Sequence, residues 1–232
     1  MGGLGHGGEA SGGSSGLTED TVITLTAAMT DAERRAAVAA VPKWQDGFDL
    51  TFQIADGDSV LLETLVFEDF LGGTFNIIGN AGESGQHTNQ AAIFSATGIG
   101  ADALLVRNCS HGVVRNVRFN NDSSGAYAGI RIVACRDLNV EGCYALGNGL
   151  VAGAGFFFER SESLIKDSLV SQNDVGIQAR GGKVTSWNND DVNTLPDYAL
   201  LADQTGTIGK IGTQPSGTVA GEEQSGGGVI RA

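Results

Sequence analysis

A chain of 232 residues with 36 glycines, 3 prolines, and 14 basic against 27 acidic side chains has the length and composition of one elongated domain. Its net charge of −13 leaves no basic surface to displace counterions from a phosphate backbone, which excludes nucleic acid as a partner. No apolar run reaches the ~18 residues of a membrane span, and the opening Met1-Gly2-Gly3-Leu4 lacks the basic and apolar regions of a secretory signal, so synthesis and folding in a cytoplasm are expected, without membrane insertion.

Residues 1–16, MGGLGHGGEASGGSSG, have the composition of a flexible tether, either a cloning remnant or a natural attachment segment. Thr21 to Thr26 alternates as a half-buried strand does. A helix is expected from Asp31 to Val41, with Thr30 as N-cap, Glu33 completing a capping box and Pro42 closing it. We read this strand and helix, within residues 17–47, as a cap over the open end of the unit formed by 48–232. Phe48, Leu50, Phe52 and Ile54 share one strand face, Asp56-Gly57-Asp58 turns the chain, and Val60 to Phe67 continues the pattern. The polar, Gly-rich stretch from Asn80 to Asn89 predicts a surface loop.

From residue 103 onward one phrase recurs. An apolar tetrad led by Gly or Ala begins at Ala103, Gly129, Gly155, Gly176 and Ala199. About ten residues after each comes a second phrase: Val114/Val117/Phe119, Val140/Cys143/Ala145, Ile165/Ser168/Val170, Val184/Trp187/Asn189 and Ile208/Ile211/Thr213. Phe75/Ile78/Asn80 repeats the second phrase one coil earlier, and Gly228-Val229-Ile230-Arg231 repeats the tetrad as a last strand. A period of this size with β-branched and aromatic phrases, and with only Asn, Asp, Ser and Gly between them, predicts an all-β fold, a parallel β-solenoid whose coils stack like on like. Gly is expected at the corners. The phrases place Val114, Val140, Ile165, Val184 and Ile208 in one interior file, with Trp187 pointing inward in the slot of Val117, Cys143 and Ile211. Asn148 and Asn173 fall at one offset and predict a polar ladder. Cys109 and Cys135 should stack in adjacent coils, as buried thiols or as a bridge.

Stacking turns offset into adjacency, so charges read as columns. Arg115, Glu141 and Lys166 form one of alternating sign, and His111, Asp137 and Glu162 another. In the second, two carboxylates about 5 Å apart would have the separation of a retaining glycosidase, against the plainer reading of a solvated column with an incidental histidine. Asn188, Asp190 and Asp191, with Tyr198 on the loop that follows, place amide and carboxylate groups near an aromatic ring, the chemistry of a sugar contact. No nucleophile elbow, phosphate loop or zinc motif occurs, so no cofactor and no metal are expected.

The coil phrases, above all SLIKDSLVSQN from Ser163 to Asn173 and DLNVEGC from Asp137 to Cys143, resemble those of right-handed parallel β-helices of the pectin-lyase-like superfamily. The opening from Leu17 through Gly79, with its helix ending in VPKW and its FDLTFQIADGDSV strand-turn-strand, is similar to the β-helix region of bacteriophage and prophage tail fibre and tailspike proteins. The resemblance covers residues 17–232 and implies a virion component assembled in a bacterial cytoplasm. It would be attached to tail or baseplate proteins through its N-terminus, trimeric, and turned toward a host-surface polysaccharide. Pectate lyases of that superfamily carry a calcium-binding aspartate cluster and a catalytic arginine. Arg107, Arg131 and Arg160 are present here, but the acids near them do not form that cluster, so a non-enzymatic role is expected over the alternative of a polysaccharide hydrolase or lyase.

Overall fold

The computed structural model describes residues 16–79, 90–121, 128–147, 153–192 and 195–232, and in it the chain winds through three parallel sheets of nine, seven and six strands. Each coil takes one strand from each sheet. Leu104–Arg107, Ser110–Arg115 and Arg118–Asn121 make one coil, and Ala128–Val133, Arg136–Glu141 and Tyr144–Gly147 the next. This is the parallel β-helix that the repeat predicts, with neighbouring strands ~4.8 Å apart along its axis. The segments 1–15, 80–89, 122–127, 148–152 and 193–194 lie outside the described residues, and with them the tether, the loop from Asn80 and the Asn148 half of the polar ladder.

In the seven-stranded sheet the tetrads stack as their spacing requires. Leu104, Ile130, Phe156, Ile177 and Leu200 pair one above another, all pointing into the interior. Near the N-terminal end the interior is aromatic: the Phe52 and Phe67 rings meet edge-on with centroids 4.8 Å apart, and Phe70 stacks on Phe75 at 5.1 Å. Such contacts add directional packing to the apolar burial that holds a coil to its neighbour.

The nine-stranded sheet departs from the expected register. Ile77, Val114, Val140 and Ile165 form one buried file, but Ser186, not Val184, pairs with Ile165. Val184 instead pairs with Ser163 below it and with Ile208 above. All five predicted residues are buried, because a slip of two residues preserves the inward side of a strand while changing every partner. The same slip carries Trp187 into line with Lys166 and Ile211 on the outer surface, where its side chain is 43% exposed, correcting the inward orientation expected for it. One coil earlier, Phe75 and Ile77 turn inward and Ile78 does not. Val60 also faces out, since Gly57–Leu61 and Leu65–Glu68 are two strands in different sheets. Val229–Arg231 joins the nine-stranded sheet, and Ala220–Gln224 takes the tetrad position.

Corners are built less by glycine than expected. Asn116, Gly142, Asp167, Asn188 and Gly212 occupy one corner column with φ between 49° and 68°, and Asp69, Asn108, Ala134, Arg160 and Gly181 occupy another with φ between 50° and 62°. This left-handed geometry turns each corner N–H along the axis. Asn116 donates to the Glu141 carbonyl at 3.1 Å and Ala134 to that of Glu159 at 2.8 Å, so these corners continue the ladder. Asn and Asp tolerate this region better than other side-chain-bearing residues, and they supply Asn116, Asp167, Asn188, Asp69 and Asn108, half of the two columns.

The helix, Asp31–Ala39, ends two residues short of Val41 and carries the capping box: Glu33 N–H donates to Thr30 Oγ1, and Thr30 N–H to Glu33 Oε2. It packs against Thr21–Leu25, Gly57–Leu61 and Leu65–Glu68, the first strands of all three sheets. Arg34, 2% exposed, donates to the carbonyls of Thr26, Ala27 and Val60 and so ties the helix to the backbone at the first strands of two sheets.

Toward the C-terminal end the interior becomes polar. Above Val117 the inner corner column reads Cys143, Ser168 and Asn189. Cys143 N–H donates to Ser168 Oγ at 3.2 Å and Ser168 N–H to Asn189 Oδ1 at 3.0 Å. Asn173, the described half of the predicted ladder, is buried and donates to the Ala145 and Ser171 carbonyls. Cys109 and Cys135 stack in adjacent coils as expected and are free thiols, as is Cys143.

Candidate functional site

Strands Ser110–Arg115 and Arg136–Glu141 each contain one left-handed residue, His111 (φ 52°) and Asp137 (φ 50°). Strand Glu162–Lys166 lacks this extra residue, so the register shifts between Arg136 and Val140. The bulge re-aims side chains on the outer face. His111 Nδ1 and Asp137 Oδ2 lie 3.4 Å apart at the surface, as the predicted column requires, but Glu162 pairs with Arg136 on one side and Lys183 on the other. Glu162 therefore leaves the His111–Asp137 column, a displacement of one residue caused by the bulge.

Asp137 and Glu162 nevertheless line one outer concavity of about 290 Å³ with Asn139, Ser163, Leu164, Lys183 and Thr185. Asn139 Oδ1 accepts from Leu164 N–H at 3.3 Å, fixing that side chain across the register shift. A second concavity of about 240 Å³ shares Glu162 and Lys183 with the first and adds Arg136, Arg160 and Ser161 over Gly181 and Gly182. A Cβ on Gly182 would lie 2.4 Å from the Ser161 carbonyl oxygen, so glycine there permits the close approach of two coils that forms the hollow. The column Arg115, Glu141 and Lys166 is realised as predicted: Glu141 meets Arg115 at 2.7 Å and Lys166 at 3.2 Å.

The second predicted cluster is divided between two sheets and a corner. Asp190 and Asp191 lie in the six-stranded sheet, where Asp190 Oδ1 accepts from Asp191 N–H and Asp191 Oδ2 from Ser216 N–H. Asn188 is a corner residue, and Tyr198 begins a strand of the seven-stranded sheet. Asn189, between Asn188 and Asp190, is 1% exposed and points inward.

Another outer-face group was not anticipated. Phe157, flanked in sequence by the inward Phe156 and Phe158, faces out of the seven-stranded sheet between the Arg131 and Arg180 guanidiniums, 5.5 and 5.0 Å from its ring centroid. Arg131 is held by Glu159 at 2.7 Å and Arg180 by Asp203 at 3.0 Å. Phe157, Gln178, Arg180 and Leu201 line a concavity of about 220 Å³ with Asp174, whose carboxyl is raised above the usual range by burial and by the neighbouring Asp197. The outward middle residue of each tetrad, Leu105, Arg131, Phe157, Gln178 and Leu201, carries this signal in the sequence. Among the described residues, no three His, Cys, Asp or Glu side chains gather as a metal site would require, and no helix is long and apolar enough to cross a membrane.

No curated protein sequence matches the chain. Among solved structures, the chain is similar to an alginate lyase from Paenibacillus sp. str. FPU-7 at 11% identity and a TM-score of 0.32, over 93% of this chain and 100% of that one. A family model described as "Right handed beta helix region" matches residues 51–192, which takes in the bulged strands, both adjoining concavities and all but the last coils. This chain belongs to the right-handed β-helix family.

Proposed function

We propose that this protein is a structural and receptor-binding component of a bacteriophage tail fibre, tailspike or tail-like particle, and that its outer face contacts a host cell-surface glycan. The observation that carries the reading is the pair of adjoining concavities on the nine-stranded sheet. Their lining of Asn139, Glu162, Ser163, Lys183 and Thr185 supplies the hydrogen-bond donors and acceptors that sugar hydroxyls need, on rigid strands that require little ordering on binding. The likeness of the segment from Leu17 to Gly79 to tail fibre β-helices supports the particle assignment. In this reading residues 1–16 attach the rod to tail or baseplate proteins, and three copies associate in the virion, multiplying weak sugar contacts by avidity. Glycan-array binding combined with light-scattering mass tests it: a trimer that retains a defined set of bacterial glycans is expected, and a monomer that binds none refutes it.

A second reading, polysaccharide cleavage, is favoured by one observation: Asp137 and Glu162 line the same concavity. It requires the unmodified protein to depolymerise a host polysaccharide and the Asp137→Asn, Glu162→Gln double variant to lose that activity. Intact polysaccharide after prolonged incubation removes it.

A further inference from the structure

All fourteen lysines and arginines fall within the described residues. Most are already occupied. Arg34 holds three carbonyls, Lys43 lies over the Phe70 ring and Arg118 over Tyr144. Carboxylates meet Arg35, Arg107, Arg115, Arg131, Arg160, Lys166, Arg180 and Lys210. Only Arg136, Lys183 and Arg231 have no such partner among the described residues. In a chain with 27 acidic residues that is an unusual state for a cation, and two of the three line the same concavity.

Arg136, Glu162 and Lys183 are in register on three consecutive coils, so the two free cations are two strand spacings apart, roughly 10 Å. Arg160 completes the rim, and its counterion is shared: Glu159 lies 3.5 Å from Arg160 and 2.7 Å from Arg131. Glu162 stands between the free cations without an ion pair to either. The adjoining concavity supplies Asn139, Ser163 and Thr185, neutral groups suited to hydroxyls. Two exposed cations at this spacing, with one carboxylate between them and hydroxyl-binding groups alongside, match a ligand that is both polyhydroxylated and anionic.

We infer that the Arg136–Lys183 hollow is a binding subsite for an acidic glycan, one whose sugars carry carboxylate or sulfate groups. This rests on the glycan-contact reading above and narrows it to a substrate class. Arg136, Arg160 and Lys183 take the oxyanions, with the arginines able to bind them in bidentate fashion, while Glu162 accepts from sugar hydroxyls and sets a limit on the charge density the hollow accepts. The net charge of −13 makes the site selective, because anions are repelled elsewhere on the rod and held only where free cations gather.

The test is binding of the full chain, by calorimetry, to uronic-acid and sulfated oligosaccharides, to their carboxyl-reduced and desulfated counterparts, and to inorganic phosphate. The acidic forms are expected to bind at least tenfold more tightly than the neutralised ones, with affinity falling as salt rises. Arg136→Ser with Lys183→Ser should lose that preference, Arg231→Ser should keep it, and Glu162→Gln should tighten acidic ligands several-fold. These side chains are on the surface, and circular dichroism of each variant checks that the coils remain. An unchanged preference in the double variant overturns the inference. Binding of neutral glycans alone overturns it while leaving the glycan-contact reading standing, phosphate binding without glycan binding overturns the assignment to sugars, and no binding to any oligosaccharide overturns both.

Discussion

Replacing Asn189 tests whether the interior of the C-terminal coils is held by hydrogen bonds and not by apolar packing. Asn189 occupies the slot that Cys143 and Ser168 fill in the coils below, and its side chain makes three buried bonds: it accepts from Ser168 N–H at 3.0 Å and donates to the Ile165 carbonyl at 3.0 Å and to Ser186 Oγ at 2.9 Å. In Asn189→Ala the Ser168 N–H is left without an acceptor inside the coil, at about 1–3 kcal/mol, and two further bonds are lost at about 1 kcal/mol each, so a loss of about 3–5 kcal/mol is expected. Asn189→Leu loses the same bonds but recovers about 1.5–3 kcal/mol from apolar burial, so it should fall between alanine and the parent. Urea unfolding followed by circular dichroism reads both. At ~1–3 kcal/mol per molar urea, the alanine midpoint should drop by about 1 M or more. Because each coil contacts only its neighbours, the loss should appear first in the C-terminal coils, reported by Trp187, and later at Trp44 near the helix. A leucine variant more stable than the parent would refute the reasoning.

Other substitutions probe other parts of the rod. Arg34→Met keeps the apolar stem but leaves the Thr26, Ala27 and Val60 carbonyls without their charged donor, and thermal unfolding should show a loss of about 3 kcal/mol or more, only partly restored in Arg34→Lys. Gly112→Ala would place a Cβ 1.7 Å from the Phe75 carbonyl oxygen, so two coils must separate; a loss at or above the upper end of the ~1–3 kcal/mol typical of overpacking is expected in the same assay. Burial pushes the Cys143 thiol up to about 12 from an ordinary value of 9.0. Its contribution to stability is therefore complete below about pH 9 and is lost as pH rises toward 12, where the unfolded chain ionises and the folded one does not. The alkaline decline in unfolding free energy should be shallower in Cys143→Ala, and an identical pH profile in the two proteins would contradict the assignment. Native protein should also leave Cys109, Cys135 and Cys143 unmodified by a thiol reagent until it unfolds.

The predicted sites show how far offset alone can be trusted. Asp137 above His111, and Lys166 above Glu141 above Arg115, were legible because each keeps a fixed offset from Val114, Val140 or Ile165 where those stay in register. Beyond the bulge, Glu162 moves out of the His111–Asp137 column and Lys183 moves into line with Glu162. Reading Lys183 by its distance from Val184 hid it, because Val184 itself had slipped by two residues. The free-cation hollow was invisible for a further reason: whether a charge is paired depends on carboxylates one coil away, as Glu141 is for Arg115, and pairing has no period along the chain.

What the sequence determined by itself is the solenoid: five apolar tetrads recurring once per coil can be buried only by stacking, and Leu104, Ile130, Phe156, Ile177 and Leu200 do stack. The capped helix from Asp31 was likewise local, written in Thr30 and Glu33 alone. Register, facing and site were decided by the tertiary structure. A strand alternates with period two, so the pattern shows which residues share a side but not which residue in the next coil each one meets. A single left-handed residue at Asp137 shifts those partners by one and sets Glu162 over Arg136, while the separate two-residue slip one coil later sets Lys183 over Glu162 and turns Trp187 from an expected core residue into a surface one.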